Sequence, residues 1–195
     1  NGYKIDNLSI SMENTAYVGL FACVGSGGVI QNLEIGSGSI SGTQEWYSYV
    51  GAIAGLLQGK VINCSNSATV TGVGGRACYI GGIAGSQGTI ERCSNHGDIN
   101  GVGGSSSSLH WQYVSGIVGG SSSGYTAQVK DCYNTGAISI TVPGSRTDLT
   151  VNATGIGGGT VSSSYNIGKL SAKNDAAEFT MSHGSTYYLD SLAAG

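Results

Sequence analysis

The sequence predicts an all-β fold, a parallel β-solenoid of about five to six coils with three short strands per coil, and three observations predict it. An apolar frame recurs as Ile5-x-x-Leu8, Ile30-x-x-Leu33, Val61-x-x-Cys64, Ile90-x-x-Cys93, Val129-x-x-Cys132 and, more weakly, Val161-x-x-Ser164. The last residues of successive frames lie 25, 31, 29, 39 and 32 positions apart, and a constant frame with variable spacers marks a repeat architecture. Glycine makes up 35 of 195 residues beside a single proline, without the period of collagen. Glycine and β-branched residues fill the periodic segments, which excludes helix and favours short strands.

Each coil offers three extended segments. The first reads Tyr17–Ala22, Tyr49–Ala54, Tyr79–Ala84 and Tyr113–Val118, with a worn copy at Asn152–Gly157. The frame is the second. Ile40, Val70, Ile99, Ile138 and Leu170 head the third. Apolar frame residues three apart do not fit the period-two alternation of a straight strand, so a corner or bulge falls inside the frame. One coil cannot bury its apolar face, whereas stacked coils share a continuous core. A right-handed coil of triangular section, stacked to a length of roughly 25–30 Å, is expected.

Two further columns accompany the frame. Asn66, Asn95, Asn134 and Asn166 sit two residues after it. Asparagine suits a left-handed corner and can bond up and down a column of its own kind. Ile10 and Ile35 stand in its place in the first two coils. Gly97, Gly136 and Gly168, with Ala68, follow two residues later, as a tight turn would require.

The solenoid is expected over residues 1–175, in coils near 1–16, 17–48, 49–78, 79–112, 113–150 and 151–175. Residues 176–195 lose the frame and read as a C-terminal cap or the start of a next unit. The chain opens at Asn1 without Met and reads as part of a larger multidomain chain. A net charge of −3 provides no basic stripe for nucleic acid. No apolar run approaches the length of a membrane span, so no membrane insertion is expected in this fragment.

The five cysteines contain no C-x-x-C, which removes the zinc-ribbon spacing. Cys64, Cys93 and Cys132 share one frame position and read as an interior column of small hydrophobes. Neighbours in such a column lie within disulfide reach, although in-register side chains point the same way. Cys23 and Cys78 lie off the column and read as better candidates for pairing or modification. His96, His110 and His183 follow no metal-binding spacing, so neither a metal nor a cofactor is expected. Glycine-rich stretches such as Gly157–Gly159 lack the strand-to-helix context of a phosphate loop.

The segment Tyr79–Ile99 (YIGGIAGSQGTIERCSNHGDI) and the run Val129–Ile138 (VKDCYNTGAI) resemble the GLUG repeat of bacterial cell-surface proteins. The opening 1–35 and the closing TYYLDS resemble the segments that flank such repeats. The resemblance implies an extracellular or bacterial cell-surface setting, in adhesin-like proteins or in the non-catalytic part of IgA-cleaving metalloproteases. It transfers no catalytic residue, and the metalloprotease H-E-x-x-H is missing from this sequence.

The long spacers Ser41–Ser48, Thr71–Cys78, Gly101–Gln112 and Thr141–Thr150 fall at one corner of the coil, where solenoid insertions build binding faces. They carry the only tryptophans, Trp46 and Trp111, at nearly equivalent places two coils apart, with Tyr47, Arg76, His110 and Arg146 on the same edge. Exposed aromatic groups among polar ones suit sugar rings or a protein hot spot. These six residues form the candidate ligand site, with a host glycan or host surface protein as partner. Against it stands a reading in which both tryptophans fold back as lids on the corner. The tyrosine column Tyr17, Tyr49, Tyr79 and Tyr113 reads as packing. Glu91 and Asp131, flanked by Arg92 and Lys130, read as a solvated strand face with cross-coil pairs rather than a catalytic pair.

The function expected is a non-catalytic stalk or recognition segment of an adhesin, not an enzyme. The alternatives are a substrate-positioning domain of a large secreted protease and a glycan-active β-helix enzyme.

Overall fold

A computed structural model of the chain describes residues 2–103, 110–120, 126–142, 149–174, 177–178 and 186–190. Among them every regular element is a strand, and the strands stack coil on coil in parallel register as the expected β-solenoid. They form five sheets along the stack. The tyrosine sheet holds Tyr17–Val18, Tyr47–Gly51, Ala77–Gly81, His110–Ser115, Leu149–Thr154 and Thr186–Asp190. The alanine sheet holds Phe21–Val24, Ala54–Leu57 and Ala84–Ser86. The frame sheet holds Val29–Gln31, Lys60–Ile62, Thr89–Glu91, Gln128–Lys130 and Thr160–Ser162. The asparagine sheet holds Tyr3–Ile5, Leu33–Ile35, Ser65–Asn66, Ser94–Asn95, Tyr133–Asn134 and Tyr165–Asn166. The long sheet holds Leu8–Glu13, Gly38–Gln44, Thr69–Gly74, Ile99–Gly103, Ile138–Val142 and Leu170–Asn174, with Ala177–Glu178 added antiparallel.

A coil therefore has five strand positions where three were expected, because two of the three segments bend. The tyrosine segment breaks at Ala52–Ile53 between its two strands. The frame breaks between Val61 and Cys64, where the three-residue spacing required a corner. Asn63 makes that corner with φ of 52°, and Asn32, Arg92, Asp131 and Ser163 repeat it at 56°, 51°, 53° and 47°. One left-handed residue turns the chain sharply enough for both apolar frame residues to face inward. It costs a side-chain-bearing residue such as Arg92 roughly 1–2 kcal/mol.

The left-handed corner was expected at Asn66 and its equivalents, and the structure moves it three residues earlier. Asn66, Asn95 and Asn134 are fully buried strand residues. The glycine column is likewise not set by positive φ. A Cβ on Gly97 would collide with the Ala68 carbonyl, and one on Gly136 with the Gly97 carbonyl. Close approach of successive coils, not turn geometry, demands glycine there.

The core is built of in-register columns. Ile40, Val70, Ile99 and Ile138 stack as successive partners and are each fully buried. Ile30, Val61, Ile90, Val129 and Val161 also stack in register in the frame sheet, the middle three buried and the two end residues partly so. Burying one such side chain contributes about 1.5–3 kcal/mol, so the frame tolerates changes of spacer but not of frame residue.

The first coil corrects the register read from sequence. Ile5 pairs with Ile35 and Tyr3 with Leu33, so Ile5-x-x-Leu8 is not a copy of Ile30-x-x-Leu33. Ile10 pairs with Ile40 and belongs to the third column. Ile35 and then Ile5, not Ile10, continue the asparagine column. The short interval of 25 was the sign of this slip.

The spacers Ser41–Ser48 and Thr71–Cys78 are not loops. Their residues are strand ends of the long and tyrosine sheets, joined by two-residue bends at Glu45–Trp46 and Gly75–Arg76. Small residues explain this: a Cβ on Gly72 would meet Ile80 at 2.5 Å and one on Gly74 would meet Cys78 at 2.5 Å. The two sheets pack face to face up to the corner. The middles of the later two spacers, 104–109 and 143–148, lie outside the described residues.

Candidate functional site

Alternation along the tyrosine sheet creates the site. Ser48 and Val50, Cys78 and Ile80, and Gln112 and Val114 are fully buried on the core side. Tyr47 and Tyr49, Ala77 and Tyr79, and Trp111 and Tyr113 therefore stand on the outer face. Parallel pairing sets Tyr17, Tyr49, Tyr79 and Tyr113 in one column. Their ring centroids are 5.3, 4.8 and 5.0 Å apart with interplanar angles of 29°, 5° and 4°. Each such pair contributes about 0.5–1.5 kcal/mol beyond its buried area, so the ladder stabilises the stack as expected of packing.

Its position gives it a second property. The ring faces cover one another, so the ladder presents ring edges and a row of hydroxyls. Ala16, Tyr17, Tyr47, Tyr49, Tyr79, Trp111 and Tyr113 line an open groove of about 630 Å³, with no charged side chain among the described residues that line it. Burial pushes the Tyr79 phenol up to about 12 and raises Tyr49 and Tyr113 as well. The hydroxyls stay protonated at neutral pH and can both donate and accept.

The second outer column is Tyr47, Ala77 and Trp111, paired in register. One residue nearer the bend the order is Trp46, Arg76 and His110, since the Arg76 N–H donates to the Trp46 carbonyl and the Trp111 N–H to the Arg76 carbonyl. Trp111 is thus equivalent to Tyr47, and the partner of Trp46 two coils on is His110. Five of the six expected residues come together at neighbouring register positions. Arg146 lies outside the described residues. Trp46 is 60% exposed on its bend and does not line the groove, whereas Trp111 does. The Arg76 guanidinium lies 5.7 Å from the Trp46 ring centroid and 5.9 Å from that of Tyr47, a cation–π arrangement.

Sequence reasoning assigned the tyrosine column to packing and did not place it in the site. The signal was present: Tyr49 and Tyr113 follow Tyr47 and Trp111 by two residues, which puts both pairs on one face of a strand. That the four rings would wall a groove depended on how neighbouring coils lean.

The asparagine ladder is formed as expected. Nδ2 of Asn66, Asn95 and Asn134 donates to Oδ1 of the next asparagine at 2.7, 2.7 and 2.6 Å. The same Nδ2 atoms donate to the carbonyls of Ala68, Gly97 and Gly136. The cysteine column is buried, and all five cysteines are free thiols. Sγ of Cys64, Cys93 and Cys132 donates to the carbonyl two residues back at 3.2, 3.2 and 3.1 Å. Hydrogen bonding with Cys132 and Cys64, together with burial, holds Cys93 in its neutral form. Cys78, expected to be open to modification, is fully buried, and burial pushes its thiol up to about 12. Cys23 is the exposed one.

Glu91 lies opposite Lys130 in register, but its ion pair is with Arg92 of its own coil at 3.4 Å. Lys4 and Glu34 form a cross-coil pair at 3.3 Å. His96 is exposed and its Nδ1 lies 2.9 Å from the Thr135 hydroxyl. His183 lies outside the described residues. Among the described residues no three His, Cys, Asp or Glu side chains converge as metal ligands would.

Comparison with known proteins bears out the resemblance read from the sequence. Residues 47–71 match the GLUG motif, so the chain carries that repeat. Over 85 residues, 44% of the chain, it is 39% identical to halomucin of Haloquadratum walsbyi, and this stretch is 1% of halomucin's length. Among solved structures, a Bacteroides ovatus chain proposed to be an immunoglobulin A1 protease superposes with a TM-score of 0.58 over 97% of this chain and 67% of that one. At 17% identity that likeness shows a shared fold.

Proposed function

We propose that this chain, a solenoid carrying the GLUG motif, is a non-catalytic recognition module of a secreted or cell-surface protein, and that it holds a saccharide in the tyrosine groove. The observation that carries this reading is the groove lining: among the described residues, five tyrosines, one tryptophan, one alanine and no charged side chain. Sugar rings combine apolar faces with hydroxyls, and they need both aromatic surface and polar partners fixed by a rigid scaffold. Trp111 supplies a large ring, and the tyrosine hydroxyls supply donors and acceptors spaced about one strand separation apart.

The repeat and the partial identity to halomucin support an extracellular setting and an adhesin-like stalk in which the groove faces outward. The host glycan expected from the sequence is the partner of this reading.

The test is a glycan-array screen of the purified chain beside a Trp111→Ala, Tyr47→Ala variant. Binding by the parent and loss in a folded variant is the expected result. A folded parent that binds no glycan overturns the saccharide reading and turns attention to a protein ligand, as the protease-domain alternative requires.

A further inference from the structure

Arg76 occupies a bend of two residues between the long and tyrosine sheets, beside Trp46 of the preceding coil. Its guanidinium is held against both Trp46 and Tyr47. Its Nε is buried and has no hydrogen-bond partner among the described residues. The ion pairs among the described residues use Lys4 and Arg92, and no carboxylate reaches Arg76.

This arrangement leaves a charge oriented but unanswered. The two rings beside it restrict the guanidinium while leaving its Nη groups available. Burial of Nε closes the side-on edge, but the two Nη groups form an end-on fork that also matches two oxygens of a carboxylate or sulfate. No ion pair among the described residues occupies that fork. Tyr47 belongs both to the guanidinium stack and to the groove wall, so an anion at the fork is continuous with a ligand in the groove.

We infer that Arg76 is a specificity-determining residue that receives an anionic substituent, carboxylate or sulfate, of the saccharide bound in the groove. The inference rests on the saccharide reading of that groove. The neutral groove takes the sugar rings, and the bend takes the acid. Trp46 stands beside the guanidinium as a cation–π partner, which accounts for an exposed tryptophan outside the groove itself.

The experiment compares three matched oligosaccharides of one backbone, unsubstituted, carboxylated and sulfated, by calorimetric titration of the parent, Arg76→Lys and Arg76→Gln. The parent is expected to bind at least one acidic form about tenfold or more tighter than the neutral form, as a charge-assisted bond would give. That preference should fall with added salt. Arg76→Gln should abolish the preference while neutral binding survives, which also shows that the variant is folded. Arg76→Lys should retain only part of it, because an ammonium lacks the planar fork. The carboxylated and sulfated arms identify which oxyanion is read. Equal affinity of the parent for neutral and acidic forms, or a preference unchanged in Arg76→Gln, overturns the inference while the groove reading stands. Failure of the folded parent to bind any of the three overturns both.

Discussion

Asn95 donates from Nδ2 to Oδ1 of Asn134 at 2.7 Å, across 39 residues of sequence. The bond is one step of a buried amide chain from Asn66 to Asn166, and each step also ties down a neighbouring carbonyl. The interior of this solenoid is thus held by a polar column as well as apolar ones.

Replacing Asn95 by Leu should therefore destabilise the stack. The substitution removes the acceptor of Asn66, the donor to Asn134 and the bond to the Gly97 carbonyl. Each buried group left unpaired costs about 1–3 kcal/mol. Asn166→Leu, at the end of the ladder, should cost less because only one neighbouring asparagine is deprived and the bonds to Gly168 are only part-buried. Denaturant melts of both variants read the order directly, and equal or negligible losses would contradict a stabilising ladder.

Gly136→Ala should destabilise by about 1–3 kcal/mol, since its Cβ meets the Gly97 backbone of the preceding coil, which cannot yield as a flexible side chain would. Gly27→Ala, where nothing lies within 4 Å, should stay within about 0.5 kcal/mol of the parent. Thermal melts of the pair separate a close-approach role from general glycine content.

The two strongly raised acids predict alkaline instability. Cys78 and Tyr79 both move up to about 12, from 9.0 and 10.0. Folded values above unfolded ones mean that the unfolded chain loses these protons first. Stability is thus full below about pH 9 and declines as pH rises toward 12, by up to about 1.4 kcal/mol per pH unit per group. Cys78→Ala should flatten the fall that begins near pH 9, as read from chemical melts across an alkaline series.

Thiol labelling should be selective. In the native chain Cys23 should react with iodoacetamide at pH 8 while Cys64, Cys78, Cys93 and Cys132 resist, because only Cys23 is exposed. Peptide mapping should find one labelled site natively and five after unfolding. Native labelling of Cys78 at a similar rate would contradict its burial.

The tryptophans should separate in quenching. Trp46 is 60% exposed, whereas Trp111 is partly buried against the groove. Acrylamide should quench Trp111→Phe, which reports Trp46, more steeply than Trp46→Phe. Equal slopes would mean that the two rings share one environment, as the original equivalence of the two positions supposed.

Most of the coil was legible in the sequence because side chains repeat at the same point of every turn. The frame, the third column and the asparagine ladder each repeat at fixed offsets, and stacking is the only way to bury them all. The errors came where repetition thinned out. The first coil slipped by register because Ile5 and Leu8 happen to share the frame's spacing, yet backbone pairing sets Ile5 on Ile35. The corner inside the frame was expected from its spacing, but the left-handed residues that make it were missed because they differ from coil to coil, from Asn63 to Arg92 to Asp131. The spacers read as loops because Ser, Gly and Thr are common in loops, although in Gly72 and Gly74 their smallness lets two sheets meet.

By itself the sequence determined the class of fold, the repeat and the identity of the interior columns, since these follow from which residues recur and at what spacing. Only the tertiary structure decided what the outer face became. Tyr47 and Trp111, 64 positions apart in the chain, flank one alanine because parallel register places them there. The groove depends on the placing of neighbouring rings, and the free Arg76 fork on there being no acid paired with it among the described residues. Both are properties of coils brought side by side by long-range pairing, and no local pattern encodes that distance.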